Sequence, residues 1–427
     1  MLGAFTRAFR TPDLRKKILF TLAIIVVFRA GSVIPAPGVD YVALHQALDG
    51  TADSGVYQLV NLFSGGALLQ LSIFALGIMP YITSSIIMQL LIVVIPRLER
   101  LKEEGESGNQ KITQYTRYLT VGLAILQSTG IVALARSGNL LPGVDLIPDK
   151  SLVRISTIVI TFIAGTAMIM WLGELVTDRG VGNGMSILIF TSIASQLPSQ
   201  GGNILNAAGG FVFALVCLLG LAIIVSVIFI EQAQRRIPVQ YAKRMIGRRM
   251  YGGTSTYIPL KVNQSGVVPV IFASSLLYLP TLLGQVWQDN EAFQAFVARF
   301  ITKGNHPLYL LFFFGLIIFF AYFYTAITFN PTEVADNMKK YGGFIPGIRP
   351  GRPTAEYLDY ILNRITLPGA LFLATISVLP YLLLGLTKDV QFPFGGTAVL
   401  IMVGVGLETV KQIESQLMMR NYEGFLR

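Results

Sequence analysis

Apolar residues along this chain fall in long unbroken runs, with neither the alternation of a half-buried strand nor the narrow stripe of an amphipathic helix. Ten runs of 17 to 24 residues lie near 18–34, 78–95, 114–135, 152–175, 182–198, 211–230, 265–283, 308–329, 366–386 and 394–413. About 20 apolar residues cover a bilayer as an α-helix, so the pattern predicts ten membrane-spanning helices. The fifth run is short and mildly polar. Arg15, Lys16 and Lys17 ahead of the first run suit a signal peptide, but no small-residue cleavage pattern follows, and the run is read as the first span.

The basic residues between the runs set the orientation. With both termini inside, 26 of the 33 Lys and Arg fall on the cytoplasmic side, 6 fall outside and Arg29 lies within span one. Every connection, including the cytoplasmic loops 231–264 and 330–365, is shorter than about 50 residues, below the size of an ordinary soluble domain. The work of the protein is therefore expected inside the membrane or at its surface.

Residues 61–95 carry no charge and are too long for one straight span. The run breaks at Gly65 and Gly66, and again between Gly77 and Pro80, which predicts a half-helix near 61–72 and a full span from about 78 to 95. Irregular backbone at membrane depth must be covered by protein or line a cavity. A second interrupted run, 263–279, repeats the Gly-x-x-Pro spacing at Gly266 and Pro269, with Ile82 and Ile271 each two places beyond the proline. Such an echo marks the working centre of a two-fold-related membrane protein, although the spacing alone is a common one.

Composition narrows the chemistry. With 53% hydrophobic and 13% charged residues, the chain reads as a polytopic membrane protein. Its one cysteine, Cys217, lies in an apolar run, so no disulfide framework is possible. The only histidines, His45 and His306, lie in or beside outer connections, and no metal-ligand spacing occurs. No span places an acidic residue at mid-depth, which argues against an intramembrane enzyme, catalytic residues of any kind and an ion-coupled carrier. Isoleucines remain: Ile82 and Ile86, then Ile189 and Ile193, each pair at a helical spacing of four, with Ile271 and Ile401 elsewhere. This is ordinary packing spacing, or an apolar constriction that closes a pore by dewetting. Gln127 and Ser275 are polar at depth and suit contacts between helices. Arg29, near the outer end of span one, can reach the interface or its own helix's last carbonyls.

Two connections are candidate docking surfaces. The first holds Arg235, Arg236, Lys243, Arg244, Arg248 and Arg249, which fits either the general inside-positive bias or an acidic or RNA-bearing partner. In the second, Pro346, Gly347, Pro350 and Gly351 stiffen a turn that presents Arg349 in a geometry suited to a carboxylate.

The runs FSGGALLQLSIFALGIMPYI, KEEGESG, QYTRY, WLGE with DRGVGNG, RRIPVQYAKR, IPLKVNQSGVVPVIFASS, FNPTEVADNMKK and IPGIRPG resemble the SecY/Sec61α family, the central channel subunits of protein translocases, over nearly the whole chain. The resemblance implies an all-α polytopic fold in the plasma membrane of a bacterium. Its two pseudo-symmetric inverted halves, 1–197 and 211–427, would close around a central pore across a hinge connection at 198–210. It implies a plug from Asn61, Leu62, Phe63, Ser64, Gly65, Gly66, Ala67 and Leu68, a pore ring from the six isoleucines, and a lateral gate where Gln127 faces Ser275. The implied partners are SecE and SecG subunits, a SecA motor or the ribosome on the basic loops and Arg349, signal-bearing polypeptides and membrane lipid, with no cofactor. A secondary transporter of inverted-repeat plan is the rival, and it would need a midplane solute site; a membrane scaffold is a third option that leaves the half-helix without a purpose.

Overall fold

The computed structural model of the protein describes residues 9, 11–40, 64–68, 70–136, 147, 151–241, 244–246, 249–251, 255–286, 306–386 and 396–425. The described helices are α1 Pro12–Val33, α2 Met79–Val94, α3 Pro96–Glu103, α4 Glu106–Arg136, α5 Leu152–Arg179, α6 Gly184–Gln232, α7 Val268–Val286, α8 Pro307–Thr328, α9 Pro331–Lys340, α10 Arg352–Leu386 and α11 Gly396–Phe425. The strands are β1 Gln234–Tyr241, β2 Arg244–Ile246, β3 Arg249–Tyr251, β4 Ser255–Lys261 and β5 Gly343–Phe344. Each of the ten apolar runs is occupied by helix. Among the described residues, Leu152–Arg179, Gly209–Gln232, Pro307–Lys340 and Arg352–Leu379 are long and apolar enough to cross a membrane, and the bent pair α2 and α3 adds a fifth candidate. The protein is a polytopic, helical membrane protein.

The chain divides into two compact units, Met1–Gly209 with Ser275–Tyr309 and Val405–Arg427, and Gly210–Ser274 with Leu310–Gly404. In the first, helix boundaries follow local chemistry. Proline opens both α2 and α3, where a missing N–H costs nothing. The clash of Pro96 with the residue before it holds Ile95 extended, at φ −104° and ψ 108°, and the two helices meet at 99°. Asn183 caps α6 by accepting from the N–H groups of Met185 and Ser186 at 3.1 and 3.3 Å. Helix α6 runs on through Pro198 across the expected connection at 198–210 and breaks only at Gly209, whose φ of 80° and ψ of 170° no right-handed helix contains.

The expected half-helix near 61–72 is not a regular helix: its described part, Ser64 onward, continues to Ile78 as a string of tight turns. Positive φ values at Gly65, Gly66, Leu71 and Gly77, of 68°, 91°, 42° and 56°, interrupt right-handed helix four times in 13 residues. This string is the centre of the unit. Leu68, Leu71, Ala75 and Leu76 form one buried cluster with Ala124, Ile131, Val132 and Ala135 of α4 and Ile158 and Phe162 of α5. The approach is close enough that a methyl group at Gly165 would lie 2.0 Å from the carbonyl oxygen of Ile73. Small residues that admit a neighbouring backbone are the usual means of packing in lipid, where no hydrophobic force drives helices together.

The second unit carries a small sheet within the two connections expected to be docking surfaces, for which no strand was expected. Its strand order is β4-β1-β5, with Ile237 opposite Ile258 and Gln240 opposite Phe344. Ile237, Val239 and Leu260 face Met338 of α9 and Leu358, Ile361 and Leu362 of α10 in a shared core. Strands β2 and β3 form a separate hairpin. Asn330 caps α9, accepting from the N–H groups of Thr332 and Glu333, with Pro331 at the first position.

Candidate functional site

The turn string is seated by α1 and α6. The Arg29 guanidinium donates to the Gly65 carbonyl at 3.0 Å, so the span-one arginine reaches a carbonyl 36 residues away and not the end of its own helix. A methyl group at Gly65 would lie 3.1 Å from the Ser192 Cα, and one at Gly66 would lie 3.7 Å from the Gln196 amide nitrogen. Ile189, Ser192, Ile193 and Gln196 follow one face of α6 at three- and four-residue spacing, so the turn rests on the helix that carries two of the six isoleucines. The Ser64 hydroxyl accepts from the Leu68 N–H at 3.1 Å and closes the first turn. Asn61, Leu62 and Phe63 lie outside the described residues.

Ile82, Ile86, Ile189, Ile193 and Ile401 are buried, and Ile271 is half-buried. Four polar neighbours of the first four isoleucines bond to their own helices. In α2 the hydroxyls of Thr83 and Ser84 donate to the carbonyls of Met79 and Pro80 at 2.9 and 2.8 Å. In α6 Thr191 and Ser192 do the same to Ile187 and Leu188 at 2.8 and 3.0 Å. The hydroxyl protons are thereby occupied, and what these segments offer is chiefly hydrocarbon. Gln127 and Ser275 behave differently. They are 2% and 3% exposed, and neither the Gln127 amide nitrogen nor the Ser275 hydroxyl has a hydrogen-bond partner, so the two do not bond each other. Each such group carries a cost of roughly 1–3 kcal/mol.

In the second unit the fold joins the two basic connections. Arg235 and Arg236 are exposed on β1, and β5, which pairs with the end of β1, leads into the turn before Arg349. That turn closes with the Ile348 N–H donating to the Ile345 carbonyl at 3.0 Å around Pro346 and Gly347, and Gly347 has the φ of +83° that a type II turn requires. Thr354 donates its hydroxyl to the Arg349 carbonyl at 2.8 Å, fixing the backbone while the side chain stays exposed. Arg236 stacks over Tyr257, 4.9 Å from the ring centre, a pairing that only the β1–β4 register reveals. Arg244 and Arg249 lie on β2 and β3; Lys243 and Arg248 lie outside the described residues.

Sequence reasoning missed the Arg29 contact, because the acceptor is a backbone carbonyl and leaves no residue-type signal. It also missed Arg117, which donates twice to the Glu174 carboxylate, both at 2.8 Å, and ties α4 to α5. Opposite charges on adjacent spans were the available signal. Among the described residues no group of three or more His, Cys, Asp or Glu could hold a metal ion.

Comparison with known proteins places this geometry among relatives. The SecY family model matches residues 72–410. The protein translocase subunit SecY of Streptomyces galbus is 64% identical over 441 residues, covering all of both chains. A solved structure described as a protein-conducting channel aligns with a TM-score of 0.64 at 16% identity, over 94% of this chain and 92% of the other. A second, of a SecY protein whose plug domain is said to stabilise the closed state of the translocation channel, aligns at 0.61 and 16% over the same shares.

Proposed function

The chain belongs to the SecY family, and on that premise we propose that it is the channel subunit through which unfolded secretory polypeptides cross the bacterial plasma membrane and from which apolar segments leave sideways into lipid. The reading places ten spans with both termini in the cytoplasm, in two inverted halves hinged near 198–210. Companion subunits of the SecE and SecG type clasp it, and a SecA-type motor or the ribosome supplies the energy.

The observation that carries the reading is the seat of Gly65 on Ser192, between Ile189 and Ile193 of α6. An irregular, charge-free segment resting on the helix face that carries two of the isoleucines is what a plug against an isoleucine constriction requires. Ile82, Ile86, Ile189, Ile193, Ile271 and Ile401 line that constriction. Hydrocarbon makes no lasting polar contact, so the ring seals around any passing sequence without holding it, and it dewets when nothing occupies it. Gln127 and Ser275 belong to the lateral gate. A passing segment partitions there by its own hydrophobicity, at about −0.3 to −0.6 kcal/mol per central Leu, Ile, Phe or Val against roughly +2.5 to +3.5 for an Arg. Arg235, Arg236 and Arg349, held on one sheet and its turn, receive the cytoplasmic partner, together with the hairpin arginines Arg244 and Arg249.

Reconstitution tests this directly. In vesicles that also contain the companion subunits and motor, a secretory precursor becomes protected from external protease only when this chain is present. Protection independent of the chain would contradict the reading.

A further inference from the structure

We propose that Arg29 is a latch on the turn string and that the short bridge at residues 71–73 is its hinge. The inference rests on the reading of the string as a plug and names what holds it shut. The two ends of the string are secured in different ways. At the far end, the Ala36 N–H donates to the Leu71 carbonyl and the Ile73 N–H to the Ile34 carbonyl, both at 2.9 Å. Phe74 stacks on Phe28 with centroids 6.0 Å apart and fills the space left by Gly31. This end is tied by backbone and packing to the end of α1. At the near end, Gly65 receives the Arg29 guanidinium at 3.0 Å. A side chain at position 65 would lie 3.1 Å from both Arg29 and Ser192, so glycine is what lets the carbonyl approach.

A guanidinium in a membrane span is costly, and its acceptor here is a neutral carbonyl. Arg29 is half-buried, and its charge-assisted bond is strong to the extent that water is kept from it. Once water enters, the guanidinium is solvated whether or not Gly65 is present, and the latch loses its hold. Residues 64–70 then swing away on the 71–73 bridge. The latch thus strengthens the dry closed state and releases with wetting, without a titrating group.

The test compares three variants of the complex reconstituted with its companion subunits in planar bilayers bathed in potassium chloride. Arg29→Gln raises resting conductance several-fold, Arg29→Lys gives a smaller rise, and deletion of residues 64–68 gives the largest. In the same order, a precursor with a defective signal sequence is transported more readily. A leak in the deletion without one in Arg29→Gln overturns the latch and leaves the plug reading intact; no leak in any variant overturns both. An Arg29→Gln chain that fails to accumulate in the membrane or to copurify with its companions also overturns the latch, which is not required for folding. As an independent readout, Ser64→Cys in a Cys217→Ser background reacts several-fold faster with an impermeant maleimide in the Arg29→Lys variant than with Arg29 present; equal rates count against the proposal.

Discussion

Gly65 lies so close to Ser192 that a single methyl group on the glycine would sit 3.1 Å from the Ser192 Cα. Ser192 is fully buried and its hydroxyl is occupied by the Leu188 carbonyl, so the contact is one of shape alone. Ser192→Leu leaves no room for the turn. The expected result is a several-fold rise in resting ion conductance with the complex still assembled; unchanged conductance would mean that the turn does not seal against α6.

The isoleucines give a second prediction. Ile86→Asn or Ile271→Asn places an amide among side chains that are chiefly hydrocarbon, so the amide recruits water and the constriction wets. Both variants are expected to leak ions and to accept precursors with weak signal sequences. Wild-type selectivity in both would show the isoleucines to be ordinary packing.

At the gate the sign is opposite. Removing a buried, unpartnered polar group relieves its desolvation cost, so Gln127→Leu and Ser275→Ala are each expected to stabilise the closed chain by about 1 kcal/mol or more. Signal-sequence insertion should slow accordingly. Faster insertion in both variants would place these residues outside the gate.

Packing at the centre of the first unit is tested by Gly165→Ala. The added carbon would meet the Ile73 carbonyl oxygen at 2.0 Å, and overpacking of this kind costs roughly 1–3 kcal/mol. The variant should unfold at a lower temperature in detergent; an unchanged midpoint would show that the turn string yields easily.

For the docking surface, Arg349→Glu reverses a charge held on a fixed backbone by Pro346, Gly347 and Thr354. Motor-driven transport is expected to be lost while the chain itself still inserts. Normal transport would remove Arg349 from the docking surface.

The helices were legible because long apolar runs and their flanking charges are strong, local signals. What escaped were features set by backbone geometry or by distant pairing. The string from Ser64 to Ile78 contains enough apolar residues for a half-helix, and only the positive φ at Gly65, Gly66, Leu71 and Gly77 excludes one. Leu71 is the instructive case, since nothing in a leucine advertises a left-handed backbone. Strand β1 does alternate, with Ile237 and Val239 buried, but Pro238 reads against a strand inside a sheet. The register explains the exception: β5 covers only Gln240 and Tyr241, so beside Pro238 the strand is in effect an edge. The candidate isoleucines were visible as residues at helical spacing. The binding of the Thr83, Ser84, Thr191 and Ser192 hydroxyl protons by their own helices was not.

Photo-crosslinking from positions 82 and 271 bears most directly on whether the isoleucines line a polypeptide path. The complex, in vesicles, would engage a secretory precursor stalled midway by a folded C-terminal domain. The prediction is that both positions crosslink to the precursor and that both crosslinks depend on stalling. Transport that proceeds with no crosslink from either position would contradict the channel described here and return the isoleucines to the role of core packing.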